Sequence, residues 1–137
     1  MVKIAPLTRE RDPITKEFKN PENIKDLTPE GLRMIVAACE ANDIDGITAT
    51  NTAQEHDFVN ETKILRPDGV TITGGMSGKE LFPTSLNTVR ELRENTKLPV
   101  IGVGGLGYGS DEEFGKDLLE MEQAGGDVSG ILSSFVQ

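Results

Sequence analysis

The sequence predicts an α/β fold built on a parallel sheet of about four strands. Two observations predict it. Short apolar runs alternate along the chain with segments of helical periodicity, which implies parallel strands joined by right-handed crossovers. Nearly every glycine-rich or polar cluster also falls just after an apolar run, where parallel α/β sheets bind their ligands.

Residues 2–5 form an apolar run broken by Lys3 and closed by Pro6, and are expected as the first strand. Residues 7–27 are polar and charged, carry Pro13 and Pro21, and read as an excursion. Thr28 and Pro29 suit the cap and first turn of a helix ending near Asn42. Leu32, Ile35, Val36 and Cys39 then share one face. Residues 45–50 (DGITAT) are the second strand, and 51–83 read as a long polar loop containing the run from Thr73 to Gly78. A second helix is expected over 85–96, with Leu86, Val89 and Leu92 inward. Residues 98–103 (LPVIGV) are the third strand and end in Gly104-Gly105. Ser110 with Glu113 makes a capping box for a third helix. Residues 128–132 are a fourth strand. The apolar side of this sheet, including Ile4, Ile47 and Ile101, is expected to face a barrel interior.

The 137 residues suffice for one domain but fall short of a complete eight-stranded α/β barrel, which takes roughly 250 residues. With 15 glycines added to the 36% hydrophobic residues, the apolar share is that of an ordinary globular chain. The net charge of −9 argues against nucleic acid and anionic membranes as partners, so a phosphate ligand must be held by backbone donors. One cysteine excludes an internal disulfide and fits a reducing compartment. No apolar run reaches the roughly 18 residues of a membrane span, and the charged start is unlike a signal peptide.

Four strand ends present a lysine (Lys3), an amide between hydroxyls (Thr50-Asn51-Thr52), a glycine pair (Gly104-Gly105) and a hydroxyl pair (Ser133-Ser134). Glycine pairs admit close backbone approach, and backbone N–H groups bind phosphate without net positive charge. Each feature has a plainer reading. Glycine turns are usually only turns, Asn and Thr cap turns, and the TGGMSG run suits a surface loop. His56 lies among Gln54, Glu55 and Asp57 and reads as solvated; Cys39 reads as core. Lys3 resists dismissal, because lysine is almost never buried without a partner. No metal-ligand spacing occurs, so no metal is expected.

VKIAP, DGITATNT, TGGMSGKEL and LPVIGVGG, in this order and spacing, resemble the C-terminal half of dihydroorotate dehydrogenases, most nearly the quinone-linked class 2 branch. The resemblance implies a partial (β/α)8 barrel over residues 1–137 and FMN as cofactor. It implies Lys3 near N1 and O2 of the flavin ring, Thr50 and Gly78 on the flavin, and Gly104 and Gly105 at the FMN phosphate. Asn51 and Thr52 would contact the pyrimidine. The family's closing strand ends in Tyr-Thr, where this chain has Leu132 and Ser133; backbone donors survive that change and the aromatic packing does not. The family oxidises dihydroorotate to orotate in pyrimidine biosynthesis, moving a hydride from C6 to the flavin and a C5 proton to a Ser or Cys base. That base belongs to the N-terminal half, so no catalytic base is expected here; Ser77 and Ser110 lie on other loops.

The resemblance further implies quinone as electron acceptor. It implies a location in the cytoplasm or peripherally on the inner membrane for the complete enzyme. The expected companion is a missing N-terminal half-barrel or a second copy. Three functional classes stand at this point: half of an enzyme active only when completed, a flavin- or phosphate-binding half-barrel without chemistry, or a truncated product without a stable fold.

Overall fold

A computed structural model describes residues 1–7, 27–54 and 63–131. Four strands form one parallel sheet in the order β1 (Val2–Ile4), β2 (Ile47–Ala49), β5 (Val100–Val103), β6 (Val128–Gly130). Helices α1 (Pro29–Ala41), α2 (Phe82–Asn95) and α3 (Asp111–Gln123) cover one face, with α2 packed against both its neighbours and on β2 and β5. This is the parallel α/β sheet expected from the alternation.

Local chemistry starts and stops the helices. The Thr28 hydroxyl accepts from the Gly31 N–H at 3.1 Å, and Pro29 needs no N–H partner. Leu32, Val36 and Cys39 then fall inward at spacings of four and three residues. Ser110 and Glu113 close the expected capping box on α3. The second helix begins earlier than its periodicity suggested, because a single 3-10 turn (Lys79–Leu81) leads straight into Phe82 and Pro83.

The segment between β2 and α2 is not a plain loop. Its described part contains an antiparallel hairpin, β3 (Lys63–Leu65) and β4 (Thr71–Thr73). Pro67, Asp68 and Gly69 make the turn: Gly69 takes φ +82°, its N–H donates to the Arg66 carbonyl, and Asp68 accepts from Val70 N–H. Residues 8–26, including most of the charged excursion, lie outside the described residues. Leu7 and Leu27 nevertheless bridge in parallel, so the excursion leaves and returns at one point.

Register corrects the expected faces. Val2, Ile47 and Val100 are aligned, as are Ile4, Ala49 and Gly102, and these residues point toward the helices. Ile4 and Ile47 are therefore core beneath the helix layer, 3% and 0% exposed, instead of barrel-facing. Of the three isoleucines only Ile101 lies on the opposite, open face, in register with Thr48 and Lys3. The cause is the two-residue alternation of a strand, which puts Lys3 and Ile4 on opposite faces.

At the N-terminal edge of the sheet, Arg93 ties the strands together. Its guanidinium donates to the Gly125 carbonyl at 2.7 and 3.0 Å and to the Asp127 carboxylate at 2.6 Å. The same carboxylate accepts from Val100 N–H at 2.8 Å, and Asp127 N–H returns a bond to the Val100 carbonyl. The backbone bond from Val100, reinforced by Arg93, holds the Asp127 carboxyl below its ordinary pKa against a smaller burial penalty.

Candidate functional site

The C-terminal edge is built from segments that continue past the strands. Asn51 N–H donates to the Ile4 carbonyl at 2.8 Å, and Thr50 N–H to the Val103 carbonyl at 2.7 Å. Residues 50 and 51 thus fasten the end of β2 to the ends of both flanking strands. The peptide between Ala49 and Thr50 is cis. Thr50 is 2% exposed, and its hydroxyl shares a 3.1 Å hydrogen bond with that of Ser85 on α2, itself 0% exposed. Asn51 is exposed and Thr52 half-buried.

The glycine-rich run folds over this segment. Ala53 and Met76 exchange two backbone bonds, at 3.0 and 2.7 Å. A β-carbon on Gly75 would strike the side chains of Thr52 and Gln54, so glycine permits the close crossing. Gly78 takes φ +84°, and a β-carbon there would sit 4.0 Å from the Tyr108 hydroxyl. One residue on, Lys79 reaches Glu113 at 3.4 Å, pinning the run to the first turn of α3. The Glu113 carboxyl is held below its ordinary pKa, first by the Ser110 backbone bond, then by the Ser110 hydroxyl and Lys79.

Beyond β5, Gly104 and Gly105 take φ +117° and +76°. Side chains there would collide with the Ser85 hydroxyl and the Phe82 backbone respectively. Among the described residues, no acceptor takes the N–H of either glycine. Two such N–H groups in succession have the chemistry to donate to an anion. Lys3 stands exposed on the open face, in register with Thr48, and has no carboxylate partner among the described residues. It precedes Ile4, whose carbonyl anchors Asn51.

The expected residues are therefore distributed as follows. Lys3 lies within β1 on the open face. Thr50, Asn51, Thr52, Gly104 and Gly105 lie just past the ends of two adjacent strands, and Gly78 in the run that crosses them. The Thr50 hydroxyl is engaged by the helix layer. Leu132, Ser133 and His56 lie outside the described residues. Cys39 is core, as expected. Sequence reasoning missed Ser85 and its neighbours Thr84 and Thr88, all buried on α2. Their signal was hydroxyl residues on the same helix face as Leu86 and Val89.

The dihydroorotate dehydrogenase family model matches residues 2–136. The chain belongs to that family. A dihydroorotate dehydrogenase (quinone) of Marinomonas sp. is 31% identical over 97% of this chain and 37% of its own length. The catalytic subunit of a dihydroorotate dehydrogenase B (NAD(+)) of Streptococcus pneumoniae is 34% identical over 77% of this chain and 32% of its own. A dihydroorotate dehydrogenase A (fumarate) of Limosilactobacillus reuteri is 32% identical over the same shares. The chain thus spans about a third of the length of these relatives. The fold is that of a crystallised dihydroorotate dehydrogenase from Eimeria tenella in complex with ferulenol, at TM-score 0.61 and 24% identity, over 81% of this chain and 27% of that one. Among the described residues, no helix is long and apolar enough to cross a membrane.

Proposed function

We propose that this chain forms the part of a dihydroorotate dehydrogenase that holds FMN and the pyrimidine, and that it oxidises dihydroorotate only together with further family structure. The observation that carries the reading is the pair of glycine N–H groups that find no acceptor among the described residues, set beyond the strand next to the one bearing Asn51. They fit a phosphate monoester on a chain of net charge −9, because backbone donors need no net positive charge. Bound FMN would supply the hydride acceptor. Gly104 and Gly105 would hold its phosphate, and Gly78 would let the glycine-rich run approach its ring. Lys3 would place a positive charge beside the ring edge where negative charge develops. That contact grows stronger along the reaction and so lowers the barrier more than it tightens substrate binding. Asn51 and Thr52 would donate and accept hydrogen bonds to the pyrimidine, fixing its reacting edge. By the family resemblance alone, Leu132 and Ser133 would join them at the phosphate.

The proton acceptor for C5 belongs outside this chain in our reading, in a companion half-barrel that also covers the open face. The relatives use quinone, NAD(+) or fumarate, and the sequence motifs favour quinone. A half-barrel that binds flavin without turnover is the second reading, favoured by the exposed position of Lys3 on an uncovered face.

The test is to saturate the chain with FMN and record flavin absorbance after gel filtration, then follow orotate formation with a quinone or dye. Retained flavin without turnover, and turnover on adding the companion half, is the expected result. Turnover by the chain alone at roughly 1 per second or more would show that the companion is dispensable. Failure to retain flavin under either condition would sink the reading.

A further inference from the structure

We propose that Ser85 is a positioning residue that holds the Thr50-Asn51-Thr52 segment and the Gly104-Gly105 turn in fixed relation, a role resting on the ligand assignments above. Its hydroxyl touches both arms of the site. On one side it shares the 3.1 Å hydrogen bond with Thr50. On the other it would clash with a β-carbon on Gly104, so the turn passes close beside it. Both hydroxyls are at most 2% exposed, and a buried hydroxyl left unpaired is costly, which makes this partnership specific.

A helical serine has a simpler alternative, back-bonding to the carbonyl four residues earlier. Thr88 does that, donating to the Thr84 carbonyl at 2.8 Å. Ser85 instead takes Thr50, whose other hydroxyl contact, the Val103 carbonyl, is long at 3.5 Å. Ser85 therefore sets the Thr50 rotamer, and through it the chain direction into Asn51. Bulk apolar packing at this position could not do so, because it lacks the directionality of a hydrogen bond.

The experiment compares Ser85→Ala with Val89→Ala, a core truncation on the same helix, in the full chain. Amide hydrogen exchange is read without ligand. Ser85→Ala should speed exchange at Thr50 and Asn51 by roughly 3- to 10-fold, the range expected for one hydrogen bond, and leave α1 and α3 unchanged. Val89→Ala should lower the melting temperature without singling out residues 50 and 51. With FMN bound, orotate affinity read from flavin absorbance should fall by a similar factor in Ser85→Ala and in Thr50→Val. The double variant should be no worse than either single, because both remove one interaction. Unchanged exchange at residues 50 and 51, or additive losses, would overturn the proposal. If the unaltered chain takes up neither FMN nor orotate, the function reading fails, while the exchange data still decide the role of Ser85.

Discussion

At the N-terminal edge of the sheet, Arg93, Asp127, Gly125 and Val100 satisfy one another in a closed set of hydrogen bonds. By contrast, among the described residues, no acceptor takes the consecutive N–H groups of Gly104 and Gly105 at the C-terminal edge, and no carboxylate pairs with Lys3. The same sheet thus spends its polar groups on itself at one end and leaves them open at the other. A closed set stabilises the fold; an open one contributes little to it unless a ligand binds. Substitutions at the two ends should therefore separate activity from stability.

The largest effect is expected at Lys3. In the completed enzyme, Lys3→Ala should lower kcat by about 100- to 1,000-fold, or roughly 2.7–4 kcal/mol, with KM for dihydroorotate little changed. The melting temperature should not move, since Lys3 is exposed. A rise in KM alone would place Lys3 on the wrong side of the comparison. Next comes Gly105→Ala, which forces a side chain into the left-handed region and against Phe82. It should cost about 2–3 kcal/mol of stability by denaturant titration, the sum of backbone strain and overpacking. Here rim and fold coincide, so phosphate affinity should fall as well.

Arg93→Ala should cost about 1–2 kcal/mol of stability and leave flavin binding intact, because it opens a half-exposed ion pair and carbonyl contacts. Acid should give the smallest effect. The Asp127 carboxyl titrates below its ordinary value in the folded chain, so its contribution is complete above the unfolded pKa. It fades as pH falls through the depressed folded value. Asp127→Asn should flatten that part of the stability profile by less than about 1 kcal/mol, given its exposure. An undiminished acid response in the variant would show that other carboxylates carry it.

Much of this architecture was legible because its signals are local. Thr28, Pro29, Ser110 and Glu113 announce helix starts through contacts within three residues. The apolar runs mark all four sheet strands. The position of the glycine and hydroxyl motifs at strand ends was legible too, since they lie beside those runs. What escaped reading depends on distant partners. The face of Ile4 relative to Ile101 follows from strand register, which no single strand encodes. The Thr50 hydroxyl depends on the phase of a helix 35 residues away. The hairpin was different: Pro67-Asp68-Gly69 between short alternating runs is a recognisable turn signal, hidden only by the polarity around it.

That hairpin hangs from a closed neck. Ala53 and Met76 bond to each other on the site side of it, so the chain leaves and re-enters the site at one fixed point. Loop-closure cost grows only slowly with length, and a closed neck shields the site from changes farther out. The tip at Pro67–Gly69 is thus a natural port. A fluorophore, affinity tag or small domain inserted there should report on the molecule, or tether it to a surface, with the ligand rim left as it stands.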